Sequence, residues 1–262
     1  MNIKTYTNRL PDKWLIKDSF FDRNPNLSYL VTYGSDTLHS VLIDVNVSAE
    51  ELEKDLDMLG SKMEWILITH THLDHSFRLP EIVAKYGNVR VGIPAQSLIS
   101  PFIAASRIEC IDLVHGMEIK LGEESLRVLS TPGHTTDTVC FWDKENQLFF
   151  SGDVIMEGEI GCCDYHSGGS RNVFYQTIID LLKLLPDSTQ IFPGHRLNYY
   201  STPPPYLWKE EKKRNPYLQF AAAGNKAEFY QELKGFSCDR ESDAQLTCRI
   251  NPEHDDSGID QK

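Results

Sequence analysis

Thr69-His70-Thr71-His72-Leu73-Asp74-His75 places three histidines and one aspartate within six positions. The stretch follows Glu64-Trp65-Ile66-Leu67-Ile68, an apolar run of strand length. Neutral imidazole and carboxylate are the donors that hold zinc, iron or manganese. The cluster therefore predicts a metal site at the end of a buried strand, and it sets the question for the rest of the chain: where the remaining ligands lie.

Three later stretches answer with one repeated design. Thr131-Pro132-Gly133-His134 follows the β run Leu126-Arg127-Val128-Leu129. Ser151-Gly152-Asp153 follows Leu148-Phe149-Phe150, and Phe192-Pro193-Gly194-His195 follows Gln190-Ile191. Each puts a glycine just before a metal-type residue, where the backbone must turn sharply and approach closely. Five of the nine histidines fall in these motifs; His39, His115, His166 and His254 do not. A lone histidine at a strand end is more often a core or surface residue, but the set together reads as a metal site.

Around these motifs the strand and helix pattern is α/β. Ser28–Tyr33 and Val41–Val45 read as a hairpin. Ser48-Ala49-Glu50-Glu51 is a capping-box start, Leu52, Leu56 and Leu59 form an apolar stripe, and Gly60 ends the helix. A helix near Pro80–Tyr86 leads to a strand at Val89–Ile93. Glu109–Val114, Ser125–Leu129, Thr138–Trp142 and Gln147–Phe150 read as a second, largely antiparallel sheet. Val173–Leu185 is an amphipathic helix, Gln190–Phe192 a last short strand, and helices are predicted near Leu207–Arg214 and Lys226–Lys234, after the stiff Pro203-Pro204-Pro205. Residues 1–27 are mixed in character. The reading gives one domain over 1–236, with its core at 15–200 and C-terminal helices at 207–235, and a polar, poorly ordered tail over 237–262.

Composition narrows the function. The net charge is −12, which argues against nucleic acid and anionic membrane as partners. An anionic substrate would need a local basic patch, and Lys212, Lys213 and Arg214 supply a candidate for a carboxylate or phosphate. The bland reading of that run is a solvated helix face with i,i+4 pairs. No run approaches the ~20 apolar residues of a membrane span, and the N-terminal residues are not of signal-peptide type, so the expectation is a cytoplasmic protein. The six cysteines are irregularly spaced and include no CxxC pair, which speaks against a disulfide framework or a structural zinc site.

His70-x-His72-x-Asp74-His75, followed in order by His134, Asp153 and His195, resembles the metallo-β-lactamase superfamily over roughly residues 15–200. The resemblance implies a four-layered αβ/βα sandwich with the site at one edge between two sheets. It implies that His70, His72 and His134 hold one metal ion, that Asp74, His75 and His195 hold a second, and that Asp153 bridges them. The cofactors implied are two divalent ions, zinc first, with iron or manganese as alternatives. The implied chemistry is hydrolysis by a metal-bridging hydroxide, with Asp74 orienting it and passing a proton to the leaving group.

Within the superfamily the glyoxalase II-like, thioesterase-like branch is the most similar. Gly133-His134-Thr135-Thr136-Asp137-Thr138, Ser151-Gly152-Asp153-Val154 with Ile160-Gly161 and Asp164-Tyr165, and Glu210 through Leu218 carry that likeness. The implied substrate is a thioester: acyl-glutathione, acyl-coenzyme A or a carrier-bound acyl chain. Cys162-Cys163 stands where the branch commonly has a basic residue, and Ser76-Phe77-Arg78 replaces a small glycine-containing pair. Phe77, Arg78, Cys162, Tyr165, His166, Lys212 and Arg214 are the candidate substrate-side residues. Alternatives kept open are a persulfide dioxygenase, with a single iron on His70, His134 and Asp153, a lactonase, and a ligand-binding module that kept only the fold. The reading leaves room for a homodimer.

Overall fold

Alternation along the strands builds two sheets that share a core. The structure is a computed structural model that describes residues 1–8, 25–95, 108–197, 203–233, 235–239 and 247–250. The first sheet holds β1 (Asn2–Asn8), β2 (Asn26–Tyr33), β3 (His39–Ile43), β4 (Lys62–Leu67), β5 (Arg90–Pro94) and β6 (Cys110–Leu113), in that spatial order. The β1–β2–β3 part is antiparallel, and β3 to β6 run parallel. The second sheet is built from β7 (Glu118–Leu121), β8 (Glu124–Ser130), β9 (Val139–Asp143), β10 (Leu148–Gly152), β12 (Gln190–Pro193) and β13 (Tyr206–Leu207). Its spatial order is β13-β12-β10-β9-β8-β7, antiparallel except for the β10–β12 pair.

Side chains on a strand alternate between faces, and the cores follow that rule. Tyr29, Val31, Val41 and Ile43 of the first sheet meet Val128, Phe141, Leu148 and Phe150 of the second. Leu30, Leu42 and Ile66 face the other way, onto Leu52 and Leu56 of α1 (Ala49–Leu59) and Ile82 of α3 (Leu79–Tyr86). Cys140, Trp142 and Phe149 face Phe174, Ile178 and Leu181 of α4 (Arg171–Leu184), with Trp208, Leu218 and Phe229 from α5 (Trp208–Arg214), α6 (Pro216–Ala222) and α7 (Lys226–Glu232). The layers are therefore helix, sheet, sheet, helix, as expected. Between α1 and α3, α2 (Leu73–Ser76) is a single turn that carries part of the histidine cluster.

The predicted helix cap is present. Ser48 Oγ accepts from the Glu51 amide and Gly60 closes α1 in the left-handed region at φ 64°. A cap of this kind contributes about 1 kcal/mol.

Several strands differ from the sequence reading. The run at Glu109–Val114 joins the first sheet, not the second, because β6 extends the parallel ladder beside β5. β1, unread in the mixed N-terminal stretch, pairs along β2; among its side chains described, Tyr6 alone is buried, so it shows little apolar alternation. In the segment read as a polar tail, 237–239 belong to β14 (Gly235–Asp239) and 247–250 form β15 (Thr247–Ile250); the other residues of 237–262 lie outside the described ones. β14 finds its partner in the two-residue β11 (Cys163–Asp164), which it joins in parallel, and β15 pairs antiparallel on β14.

Candidate metal centre

The ligand loop between β4 and α2 is pinned from both sheets. The Thr69 amide donates to Asp44 Oδ1 at 2.8 Å, and the Thr69 carbonyl accepts from Val139 of β9 at 2.8 Å. The His75 carbonyl accepts from the Val45 amide at 2.8 Å. On the opposite side, Gly194 donates to the Gly152 carbonyl at 2.7 Å and accepts from Leu27 at 2.8 Å. Tyr29 Oη reaches the Pro193 carbonyl at 2.6 Å. These bonds lace the two sheets together at one edge.

All seven expected residues meet there. His72 Nδ1 lies 3.0 Å from His70 Nε2 and 3.1 Å from His134 Nε2, so three imidazoles converge on one point. Asp74 Oδ2 lies 3.2 Å from His195 Nε2 and 3.6 Å from His75 Nε2, forming a second group. Asp153 stands between them: Oδ2 is 3.7 Å from His134 Nε2 and 3.4 Å from His195 Nε2, and Oδ1 is 3.4 Å from His75 Nε2.

The glycines before the ligands are required sterically. A Cβ on Gly194 would stand 2.5 Å from Asp153 Oδ1 and 2.6 Å from His75 Cε1. One on Gly152, at φ 48°, would stand 2.8 Å from Thr69.

The arrangement fits divalent metal ions. His75 Nε2 and Asp153 Oδ1 are buried, face each other, and make no hydrogen bond among the described residues. A buried polar atom left so is costly unless a cation takes its lone pair. Burial holds His70 well below the usual imidazole pKa, and burial with the nearby His72 pulls His134 down to about 4. Both are thereby neutral, the form that ligates. Around Asp74, burial opposes ionisation, but His75 and His195 outweigh it and hold the carboxyl well below its ordinary range. His75 is itself pushed up to about 9 by Asp74, Asp153 and Asp44, against the effect of burial. His70, His72 and His134 could hold one ion, and Asp74, His75 and His195 another, with Asp153 reaching both groups.

Orienting groups that sequence reasoning missed surround this set. Asp44 Oδ2 accepts from His75 Nδ1 at 2.8 Å, Asp164 Oδ2 from His72 Nε2 at 2.8 Å, and Asp74 Oδ2 from Asn26 Nδ2 at 2.8 Å. Asp44 is legible in retrospect as a lone carboxylate ending the apolar strand Val41-Leu42-Ile43.

The substrate-side candidates divide. Tyr165 lies in the turn Tyr165–Ser167 directly after Asp164 and packs on the helix-side core. The His166 side chain lies outside the described part of the structure. Cys162 is at the metal site, but through its carbonyl, which accepts from His134 Nδ1. Burial pushes its thiol pKa well up, so the sulfur is not a ready thiolate. Arg78 is engaged by Glu81 at 2.7 Å and stacks over Phe77, 5.4 Å from the ring centre.

The basic run is paired with acidic side chains. Lys212 pairs with Asp187, Lys213 with Glu210, and Arg214 with Glu211 and Glu157. Each cation has an acidic neighbour of its own, so Lys212 and Arg214 are engaged in ion pairs. Among the described residues no helix is long and apolar enough to cross a membrane.

The chain is similar to several known proteins. A hydroxyacylglutathione hydrolase of Nitrosococcus oceani is 34% identical over 140 residues, 52% of this chain and 49% of that protein, so the chain spans about half of that relative's length. The crystal structure of ETHE1 from Myxococcus xanthus superposes with a TM-score of 0.57 at 25% identity, covering 78% of this chain and 83% of that one. TTHA1623 in a di-iron-bound form gives 0.61 at 27% identity, covering 74% and 96%. The family model described as the metallo-beta-lactamase superfamily matches residues 22–195. With the four-layered fold and the seven converging ligand-type residues, that match shows that the chain belongs to the metallo-beta-lactamase superfamily.

Proposed function

We propose that this protein is a dinuclear metallohydrolase that cleaves a thioester, with an acyl-glutathione, acyl-coenzyme A or carrier-bound acyl chain as substrate. The observation that carries the reading is the pair of ligand groups sharing Asp153, one of three imidazoles and one containing Asp74. The kinship with a hydroxyacylglutathione hydrolase supports the thioester. Zinc suits the imidazole-rich donor set best, and iron and manganese suit it next.

When bound, two divalent ions would supply an acidified water and an electrophile for the acyl carbonyl. The chain's own residues do the rest. Asp74, in the second ligand group beside His195, would accept the proton of the attacking water and return it to the leaving thiolate. Asn26 holds Asp74 Oδ2 and so fixes the carboxylate's orientation. His72 is the ligand-type side chain most open to solvent, at 16% against 8% or less for His75, His134, Asp153 and His195, so the substrate approaches from its side.

A single-iron persulfide dioxygenase would use only His70, His134 and Asp153. It would leave Asp74, His75 and His195 unused as ligands, so metal content discriminates the two readings. The test is metal analysis of protein purified without added metal, alongside a panel of acyl thioesters, lactones and glutathione persulfide. Two ions per chain and turnover of a thioester are expected. One iron per chain with oxygen uptake on the persulfide would overturn the hydrolase.

A further inference from the structure

The segment from Gly161 to Asp164 is a strap across one half of the metal centre. The Gly161 amide donates to the Asp153 carbonyl at 2.8 Å, and the Asp164 amide donates to the His134 carbonyl at 2.8 Å. The Asp164 carbonyl accepts from Gly169 at 2.7 Å. There is no slack in the strap, because a Cβ on Gly161 would meet the Asp153 carbonyl oxygen at 2.2 Å and His134 Nδ1 at 3.0 Å. β14 pairs along its outer side, with Asp164 opposite Phe236.

Both polar groups that the strap turns inward go to the same group of ligands. The Cys162 carbonyl takes His134 Nδ1, and the Asp164 carboxylate takes His72 Nε2. The other group has separate supports in Asp44 and Asn26.

His72 most needs such a partner. It presents Nδ1 to the cluster, whereas His70 and His134 present Nε2. It sits at the N-terminus of a four-residue helix with no side-chain cap, and it is the more exposed ring. Asp164, with a side chain only 1% exposed, fixes both the ring and its tautomer: a hydrogen on Nε2 directed at the carboxylate leaves the Nδ1 lone pair for a cation.

We propose that Asp164 is the positioning residue of the His70–His72–His134 subsite, setting metal affinity there and not at the Asp74–His75–His195 subsite. The proposal rests on the two-metal reading above but not on the choice of substrate. If the metal-depleted wild-type chain takes up fewer than two zinc ions, the two-metal reading fails. If it takes up two, the Asp164 variants decide the inference on their own.

The experiment titrates metal-depleted full-length protein with zinc against a chromophoric chelator. Asp164→Asn keeps an acceptor of the same shape without the charge, and Asp164→Ala removes it. One zinc should bind Asp164→Ala as in wild type and the other about 10–100-fold more weakly, with Asp164→Asn between. Backgrounds locate the effect. In His195→Ala, Asp164→Asn should weaken the one remaining tight site; in His134→Ala it should change nothing. Unaltered affinities in folded Asp164→Asn, or a loss that appears in the His134→Ala background instead, would overturn the proposal. Circular dichroism of the metal-depleted variants separates a folding defect from a local one, and Asp164→Asn carries the decision if Asp164→Ala does not fold.

Discussion

One carboxylate oxygen of Asp44 accepts from His75 Nδ1 at 2.8 Å, while the other accepts from the Thr69 amide at 2.8 Å. Asp44 thus ties the last histidine of the cluster to the residue just before the first. It occupies a left-handed backbone position, φ 54°, that asparagine also tolerates. Asp44→Asn should therefore fold, but its amide would set a donor against donors. The expected result is a loss of about 1–3 kcal/mol in denaturant unfolding. Zinc affinity at the His75 subsite should fall about 10–100-fold. Wild-type values for both would refute this role.

Gly194→Ala tests whether the ligands tolerate displacement. Its methyl would overlap Asp153 and His75 together, and both sit in a fully packed edge between the sheets. Something must shift by about an ångström, and a misplacement of that size costs about 10²-fold in rate. Thioester turnover should fall by that order, with circular dichroism unchanged. Activity within about twofold of wild type would mean that the glycine is not needed for close approach.

Much of this was readable beforehand, and the reasons for what was not are physical. Ligand-type residues advertise themselves: His70, His134 and Asp153 each stand at a strand end beside a chain-turning residue or in a dense cluster. The residues that orient them do not. Asp164 and Asn26 resemble any polar loop residue until the fold brings them, 92 and 48 positions away in the chain, onto His72 and Asp74. β6 reads equally well in either sheet, because a short alternating run carries no mark of its partner. The sequence shows Lys212 and Arg214 as a run of cations but not that Asp187 and Glu157 come to meet them.

The metal-free protein should have a stability maximum near pH 6.5. His75 is raised to about 9, so its contribution is complete below its unfolded pKa of about 6.5 and is lost as pH rises through 9. His134 is lowered to about 4, so its contribution is complete above about 6.5 and is lost as pH falls through 4. Thermal melts of chelator-treated protein across pH 4 to 9 should trace this dome. Zinc at about 1,000 times its Kd should add about 4 kcal/mol near neutrality. A metal-free midpoint that rises steadily from pH 6.5 to 9 would show that the carboxylates do not hold a proton on the cluster.

Arg214 and Lys212 separate structure from substrate binding. Glu211 is fully buried, and its carboxylate is shared between Arg214, at 2.7 Å from Nε, and the Gly158 amide at 2.9 Å. Gly158 lies in the loop that leads from Asp153 to the strap, so the pair anchors the helical layer to the metal-bearing sheet. Arg214→Ala leaves that buried carboxylate with the amide alone, which should cost about 1–3 kcal/mol. Lys212 meets Asp187, whose side chain is 68% exposed, and Lys212→Ala should leave the melting temperature essentially unchanged. With these cations already paired, neither substitution should raise KM for an anionic thioester by more than about twofold where the protein is folded, since an exposed ion pair is worth little. A tenfold rise in KM for Lys212→Ala, with an unchanged melting temperature, would restore the basic run as a substrate site.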